Sequence, residues 1–531
     1  MRRWNGWGDD KVDFHLSGSA QGMLEELIGS GTPREDVDLA GMLAKIPASR
    51  LPDHPLVDRE PLTRLRHAVG QSFPDWVQIR YGDLRRFPDG VAFPNDDREV
   101  GVLLRYAAET EARVIPYGGG TSVVGHLTTP KGDQPVLMIA TTRLNQLQKL
   151  DRRNYLATFG AGVNGPDLEA ALRAEGFTLG HYPQSFEYST LGGWVAARSS
   201  GQQSLGYGRI EDMFAGGRMY TPTGIFDMNT LPASAAGPDL RHMVLGSEGR
   251  MGVISEATVR IRRLPEAERF HAVFFPDWTL AEQAVREVSQ AGVPLSMMRL
   301  SNAMETQTNL ALAGKERLIN GLKQYLELRR VNVADQGCML IIGFTGARAI
   351  VKAGRRKALE LCRRYRGVHM YRMLGEAWRK NRFRTPYARN ELWRLGYGVD
   401  TLETCVHWDV VGEAMAGIEA ALRNALNVEN EAVHVFTHLS HFYSSGCSIY
   451  TTYLFRLPAN GEAAMARWRR LKEAASEQIV KYRGTISHQH GVGEDHQPYL
   501  VHEKTPLGID LIKQNCAFFD PKGMMNPGKL V

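Results

Sequence analysis

With 531 residues, 43% of them apolar and 23% charged, the chain has the size and composition of a soluble globular protein with more than one domain. Its formal net charge of +6 is small for this length and no nucleic-acid motif accompanies it, so we expect a small anionic ligand and no nucleic-acid partner. The five cysteines form no CxxC pair and no apolar run approaches the roughly 18 residues of a spanning helix, so we expect a reducing, cytoplasmic location.

Composition and secondary-structure patterns divide the chain into four regions. Residues 1–90 are polar and proline-rich, with one helical pattern at residues 19–28 and two tryptophans, Trp4 and Trp7, suited to anchoring this segment. Short β-rich runs then alternate with helical patterns and glycine turns, which is typical of an α+β fold. The regions that we expect are an N-terminal helical segment (1–90), a ligand-binding domain (91–267), an α/β cap domain (268–480) and a C-terminal segment (481–531).

Residues 116–126, PYGGGTSVVGH, are the most informative stretch of the second region. A helical pattern at residues 102–112 and a short apolar strand at residues 113–116 precede three consecutive glycines, Gly118, Gly119 and Gly120. Glycines let successive amides point inward, and such a nest binds anions, with hydroxyl donors added by Thr121 and Ser122. The pattern predicts a phosphate-binding loop that is neither a Walker A loop nor GxGxxG.

Three further stretches point to a bound ligand. Residues 182–201 combine serine and threonine hydroxyls with the pair Gly192-Gly193, and residues 246–254, GSEGRMGVI, form a second glycine-spaced turn. Residues 487–493, SHQHGVG, place His488 and His490 beside flexible backbone, and imidazoles titrate near neutral pH. Each stretch alone is weak evidence, but their joint presence in this order favours a functional site.

These stretches together carry a family resemblance. GGGTSV, SFEYSTLGGW, YGRIED, GSEGRMGVI and HGVG, with WNGWG near the N-terminus, resemble the vanillyl-alcohol-oxidase/PCMH-type FAD flavoproteins, and within them the alkyldihydroxyacetonephosphate synthases. The resemblance implies an α+β fold with a PCMH-type two-subdomain FAD-binding domain, an α/β cap domain, and helical N-terminal and C-terminal segments, of which the C-terminal one returns to the FAD site. The cofactor residues that it implies are Pro116, Gly118, Gly119, Gly120, Thr121, Ser122, Ser185, Ser189, Thr190, Gly192, Gly193, Glu248, Gly249, Val253 and Ile254.

The resemblance also implies a reaction of ether lipid synthesis. Members of the synthase type exchange the acyl chain of acyl-dihydroxyacetone phosphate for a fatty alcohol through an adduct at flavin N5, without net redox change. By the same resemblance, Tyr450 matches the acid/base tyrosine, Arg299 an arginine near the flavin, and Arg389 the arginine that holds the substrate phosphate. His488 and His490 match the outer members of a catalytic histidine triplet.

Several points stay open at this stage. Gln489 replaces the middle histidine of the triplet, and it cannot exchange protons at neutral pH. Some branches of the superfamily link FAD to a histidine near His126, but this subfamily binds FAD noncovalently, and we expect the same here. The alternative is an FAD-linked dehydrogenase or oxidase of a 2-hydroxy acid or other small alcohol; that branch carries metal-ligating histidines, and His438 and His441 keep it open, although we expect no metal. A homodimer and a peripheral membrane contact also stay open.

Overall fold

The N-terminal segment folds into short helices. The computed structural model describes residues 2–313 and 316–531. The helices of this segment are α1 (Gly18–Ile28), α2 (Leu39–Leu43), α3 (Pro61–Arg66) and α4 (Phe73–Arg80). α1 and α4 each begin after a serine, Ser17 and Ser72, whose hydroxyl accepts a hydrogen bond from an amide of the first turn and so satisfies it. The helix predicted at residues 19–28 is confirmed.

A mainly parallel sheet presents the glycine loop. Its strands are β1 (Val57–Asp58), β2 (Gly90–Ala92), β3 (Arg113–Tyr117) and β4 (Val136–Ala140), in the order β1-β2-β4-β3. β2 and β3 both run parallel to β4, and α5 (Asp97–Glu109) connects β2 to β3. β4 is buried throughout, as strands covered on both faces are, and the glycine loop follows β3 directly. Since β1 joins this sheet, part of the N-terminal segment belongs to it.

A five-stranded antiparallel sheet follows, in the order β5-β6-β10-β8-β9. The strands of this region are β5 (Leu147–Asp151), β6 (Leu156–Gly160), β7 (Phe177–Thr178), β8 (Phe214–Thr221), β9 (Gly224–Met228), β10 (Val253–Arg260) and β11 (Arg262–Arg263), of which β7 and β11 form a separate pair. The helices between them are α6 (Gly165–Ala174), α7 (Leu191–Ala197), α8 (Ser204–Tyr207), α9 (Ile210–Met213) and α10 (Arg241–Val244).

The cap domain is built on a seven-stranded antiparallel sheet. Its strands are β12 (Ala267–Phe275), β13 (Met297–Ser301), β14 (Cys338–Gly346), β15 (Val368–His369), β16 (Tyr397–His407), β17 (His434–Phe442) and β18 (Gly446–Arg456), in the order β15-β12-β14-β13-β17-β18-β16. Its helices are α11 (Trp278–Gln290), α12 (Ala303–Leu312), α13 (Glu316–Leu328), α14 (Arg348–Arg364), α15 (Met373–Asn381), α16 (Ala388–Arg394) and α17 (Val411–Asn424). Strand side chains alternate between faces, so Val273 packs with α11 and α14 while Phe274 packs with α13.

A long helix, α18 (Gly461–Lys481), closes the cap region, and a second long helix, α19 (Leu500–Phe519), lies in the C-terminal segment. α19 agrees with the helical C-terminal segment that the resemblance implies. Pro506 lies inside this helix, and the residue before that proline, Thr505, leaves the helical conformation with φ 60. After α19 the chain returns to the first sheet, where Met525 forms a bridge with Val114.

An aromatic cluster joins the N-terminal segment to the cap domain and to α18. Trp7 is 6% exposed, so the anchoring role predicted for it agrees with the structure. The buried aromatic residues of this cluster are Trp7, Phe73, Trp76, Tyr387, Trp393, Tyr453, Phe455 and Trp468. In the described part of the chain, no helix has both the length and the apolar character that crossing a membrane would require.

Candidate functional site

A cavity of about 890 Å³ lies where the first two sheets meet the cap domain. Every residue predicted to bind the cofactor lines it, from the glycine loop, the segment around Ser189 and the turn at Glu248. Of the predicted catalytic and substrate residues, Tyr450, His490, Arg299 and Arg389 also line it, whereas His488 does not. The structure therefore collects at one place residues that are more than 300 positions apart in the sequence.

The glycine loop is shaped for an anion. A side chain at Gly119 would collide with the carbonyl oxygen of Tyr188, and Gly120 has φ 63, which favours glycine. Within the described chain, the amides of Gly119, Gly120 and Thr121 donate to no backbone carbonyl. These amides border the cavity, so they are available to the oxygens of a pyrophosphate.

The wall that packs against the loop is held by hydrogen bonds of its own. Thr190 caps α7 by accepting from the Gly193 amide at 3.4 Å, and Ser189 accepts from the Trp194 indole at 2.7 Å. Gly192 packs against Ala161, while a Cβ at Gly193 would meet only the Thr190 hydroxyl, at 3.3 Å. The protein thus fixes this wall with its own hydrogen bonds and leaves a flat face, and the lining as a whole fits FAD.

His126 is held by the protein rather than left free. Its Nδ1 lies 2.8 Å from the Ser122 hydroxyl and its Nε2 lies 2.9 Å from a carboxylate oxygen of Glu248. Glu248 in turn accepts from the amides of Val492 and Gly493, at 2.5 and 2.8 Å. Because both ring nitrogens face protein atoms, His126 is poorly placed to bond covalently to a flavin.

We therefore expect acid denaturation to release the FAD. Precipitating the purified yellow protein and measuring flavin absorbance in the supernatant and in the pellet tests this. Absorbance confined to the supernatant is the expected result, since only noncovalent contacts would hold the cofactor. Flavin that stays with the washed pellet would contradict it, and a His126→Ala variant would then show whether this histidine carries the bond.

Tyr450 lies at the centre of the cap side of the cavity. On the strands flanking β18 its partners are Glu403 on β16 and His438 on β17. Its ring stacks on His438 at 4.8 Å between centroids and meets the edge of His490 at 5.9 Å. Burial raises the pKa of Tyr450 to about 12, so the phenol carries its proton at neutral pH. Burial also lowers the pKa of both histidines, which favours their neutral, proton-accepting form.

Glu305 joins two of these residues and was missed by the sequence analysis. One of its oxygens lies 2.7 Å from Arg299 Nη2 and 2.9 Å from His438 Nδ1. Burial alone would raise the pKa of Glu305, but Arg299 and then His438 outweigh it and lower the pKa to about 2. Glu305 follows the capping residue Asn302 by three positions, so in the sequence it resembles an ordinary helix start.

Three arginines of the segment 382–389 line the cavity. Arg389 donates through Nη1 to the Gln71 carbonyl at 2.5 Å and stacks over Trp76 at 4.2 Å. Its Nη2 is buried and has no hydrogen-bond partner among the described residues. Burial lowers the pKa of Arg389 to about 10, so the group stays charged at neutral pH. Arg382 and Arg384 line the same cavity, and the unpartnered Nη2 of Arg389 suits a phosphate oxygen.

His488 lies behind the cavity wall, next to Glu403 and His441. The three side chains could offer a metal ion ligand atoms that lie within 4.8 Å of one another. However, Arg209 Nη1 lies 2.8 Å from His488 Nε2, and because a guanidinium can only donate, Nε2 must accept. The ring proton then sits on Nδ1, which faces Glu403 at 3.3 Å. This nitrogen is buried and makes no hydrogen bond with any residue that the structure describes.

His438 and His441, the pair that kept a metal site open in the sequence, have separate partners. His438 faces Glu305, as described above, whereas His441 Nδ1 lies 2.9 Å from the Ser204 hydroxyl. Burial, and then His488, lower the pKa of His441 to about 3. The sequence alone does not indicate that Glu403 lies beside these histidines, because its position depends on the pairing of β16 with β18.

Comparisons with known proteins agree with this site. The family described as "FAD linked oxidases, C-terminal domain" matches residues 264–530, and an "FAD binding domain" matches residues 88–228. Alkyldihydroxyacetonephosphate synthase of Dictyostelium discoideum is 29% identical over 572 residues, covering 100% of this chain and 93% of that protein. A solved alkyldihydroxyacetonephosphate synthase structure matches with a TM-score of 0.86 at 27% identity, covering 100% of this chain and 99% of that one. The mitochondrial cytochrome-type D-lactate dehydrogenase of Arabidopsis thaliana is 24% identical over 466 residues, covering 84% of this chain and 73% of that protein. The predicted fold, a PCMH-type FAD-binding domain with a cap, is confirmed.

Proposed function

Because the chain belongs to the family of FAD-linked oxidases, we propose that it uses its FAD for the reaction of an alkyldihydroxyacetonephosphate synthase. In that reaction a fatty alcohol replaces the acyl chain of acyl-dihydroxyacetone phosphate, an ether bond replaces the ester, and the fatty acid leaves. When bound, the flavin supplies a conjugated ring that can exchange electrons with a substrate carbon. The residues of this chain bind the phosphate, hold the alkyl chains and move protons.

One observation carries this proposal: the same cavity joins the arginine fork to a long apolar wall. α1 lies against α12, and the Ser17 hydroxyl donates to the Ala311 carbonyl at 2.8 Å. Between these two helices the lining is largely apolar, and Phe436 and Leu454 extend it among the mostly polar lining side chains of β17 and β18. Its apolar residues include Phe14, Leu16, Met23, Leu24, Leu310, Leu312, Leu392, Phe436 and Leu454. A phosphorylated head and a hydrocarbon tail would each find a matching surface.

The residues take distinct roles in this proposal. Arg389 binds the substrate phosphate through its unfilled Nη2, and Tyr450 gives or takes a proton at the reacting carbon. His490 meets the edge of the Tyr450 ring, so it is placed to exchange that proton. Arg299 and Glu305 fix the orientation of His438, on which Tyr450 stacks. His488 lies outside the cavity wall, so its role is to position Glu403 and the strand that carries it.

Incubating the FAD-loaded enzyme with acyl-dihydroxyacetone phosphate and a long-chain alcohol tests the proposal. We expect mass spectrometry to detect the alkyl ether and one equivalent of free fatty acid, with the flavin spectrum unchanged after turnover. Bleaching of the oxidised flavin by a 2-hydroxy acid alone, without ether formation, would contradict the synthase proposal and favour the dehydrogenase alternative.

We expect Met23→Trp to shift the enzyme towards shorter alcohols. Met23 lines the apolar wall from α1, and a larger side chain there would shorten the space for the tail. Each methylene that no longer fits costs about 0.8 kcal/mol, so excluding two of them should lower kcat/KM for the longest alcohols roughly tenfold. Comparing rates over a series of alcohol lengths measures this shift.

Glu26→Trp is the matched control for this prediction. Glu26 lies on the same helix but is exposed and does not line the cavity. Its chain-length profile should match that of the wild-type enzyme. Equal profiles for all three proteins would show that the hydrocarbon tail lies elsewhere, while the synthase activity itself would stand.

A further inference from the structure

A second cavity, of about 430 Å³, opens on the cap domain away from the flavin cavity. It lies on the side of the seven-stranded sheet that α14 covers, next to the edge strand β15. The two cavities share no lining residue. Any ligand of the second cavity would therefore bind independently of FAD and of the proposed substrate.

The helix side of this cavity is strongly basic. Lys352, Arg355, Arg356 and Arg363 line it, and their spacing of three, four and eleven positions from Lys352 places them on one side of α14. Two other cations of the helix are paired: Lys357 lies 3.3 Å from Glu360, and Arg364 lies 3.2 Å from Glu287. None of the four cavity cations has a carboxylate within 4.0 Å among the residues that the structure describes.

The sheet side contributes two histidines. His369 on β15 pairs with Val273 on β12, and residue 271 lies on the same face as residue 273, so the two imidazoles are neighbours. His271 Nδ1 lies 3.0 Å from His369 Nε2. His271 is 2% exposed, and its Nε2 is buried with no hydrogen-bond partner in the described structure. A buried ring nitrogen without a partner is costly, so we expect a water or a ligand atom to meet it.

Tyr371 and Arg372 lie at the rim of the cavity. Tyr371 lines it, is 75% exposed, and has φ 51, an uncommon conformation for a bulky residue that tends to occur at ligand-binding sites. Arg372 also lines the cavity and is the member of the basic group that has a carboxylate partner, Glu376 at 3.0 Å. In the part of the chain that the structure describes, no acidic side chain lines this cavity.

We propose that this cavity is a phosphate-binding site. A phosphate group carries up to two negative charges and several acceptor oxygens, which match clustered guanidinium forks. Burial, and then His369, Arg355 and Arg372, lower the pKa of His271 to about 4, so the ring is neutral among cations and can donate or accept one hydrogen bond to the ligand. The phosphate could belong to a soluble phosphate ester or to the headgroup of a phospholipid, since both present the same group.

Charge reversal at Arg355 tests the proposal on the full-length, FAD-loaded protein. Arg355 is exposed and lowers the pKa of both histidines, so it lies close to each of them. We expect Arg355→Glu to weaken binding of inorganic phosphate, measured by isothermal titration calorimetry, roughly 10- to 100-fold, the usual worth of a hydrogen bond to a charged group. Lys357→Glu makes the same charge change outside the cavity and should bind phosphate as the wild type does.

A vesicle experiment separates the two sources of phosphate. Flotation with phosphatidylcholine vesicles, with and without phosphatidic acid, asks whether a lipid headgroup is preferred. If the wild type binds free phosphate and Arg355→Glu does not, the site takes a soluble ligand. If the wild type binds only vesicles that contain phosphatidic acid, and Arg355→Glu does not bind them, the site takes a lipid headgroup. Equal binding by wild type and Arg355→Glu would place the phosphate elsewhere, and absence of binding to both probes would also overturn the proposal.

Two measurements show whether the Arg355→Glu variant is correctly folded. Flavin content and turnover of Arg355→Glu should equal those of the wild type, because the residue lies outside the flavin cavity. If Arg355→Glu lacks flavin, Arg356→Gln, which removes the charge of one exposed side chain and keeps it polar, takes its place with the same expected loss. Normal phosphate binding by a folded Arg356→Gln would then count against the site.

Discussion

Replacing Tyr450 by phenylalanine should lower kcat by roughly 10²- to 10⁴-fold while the substrate still binds. The change removes one hydroxyl and almost no volume, so the stacking on His438 and the edge contact with His490 should survive. With a pKa of about 12, the phenol is protonated at neutral pH and can donate a proton, which phenylalanine cannot do. Single-turnover kinetics, with KM measured alongside, would show the loss in the chemical step.

Tyr453→Phe is the control for this prediction. Tyr453 lies on the same strand, outside the cavity lining, and its hydroxyl donates to Asp400 at 3.2 Å. Its loss should cost stability of about 1 kcal/mol and leave kcat nearly unchanged. Flavin content must be equal in all three proteins, because loss of FAD would imitate a catalytic defect. A flavin-loaded Tyr450→Phe enzyme with wild-type turnover would remove Tyr450 from the mechanism.

Replacing Arg389 by lysine should raise KM for the phosphorylated substrate roughly 10- to 100-fold and change kcat little, because a hydrogen bond to a charged group is lost. Lysine keeps a charge but loses the planar fork, and with it the bond to the Gln71 carbonyl and the stacking over Trp76. Burial already lowers the pKa of Arg389 to about 10, and the same burial would lower that of a lysine. Steady-state kinetics with acyl-dihydroxyacetone phosphate measures the change.

An analogue that lacks the phosphate separates binding from structure. On acyl-dihydroxyacetone, the wild type and Arg389→Lys should have similar kcat/KM, since this analogue has no phosphate for residue 389 to bind. If the variant loses the same factor on the analogue, Arg389 acts by holding Gln71 and Trp76 in place and not by binding phosphate. The same comparison with Arg384→Lys would show whether a second guanidinium of this segment shares the phosphate.

The cofactor side of the site was readable from the sequence because each of its parts is local. Gly118–Ser122 form the loop within five positions, and the turn that contains Glu248 and Gly249 is equally short. The backbone conformations that these stretches need depend on their own glycines, such as Gly120 and Gly249, which are both at positive φ. Local motifs of this kind predict both the element and its ligand, and all of them reached the cavity wall.

The cap side could not be read in the same way. Glu305 on α12 and Glu403 on β16 matter because the packing of the folded chain brings them to His438 and His488, and nothing in their neighbouring residues signals it. Arg382 and Arg384 belong to a short irregular segment whose direction only packing decides. His488 and His490 look equivalent in the sequence, yet one turns behind the wall and the other into the cavity. Pairing register and side-chain direction are properties of the folded chain.

The return of the C-terminal segment to the flavin site has a consequence for biosynthesis. The Asn526 amide donates to the Glu248 carbonyl at 2.7 Å and to the His126 carbonyl across 400 positions, closing the turn beside the glycine loop. A ribosome adds about 5–20 residues per second, so the glycine loop emerges roughly 20–80 s before the residue that secures it. We therefore expect the cofactor to be held firmly only after residue 526 has been synthesised.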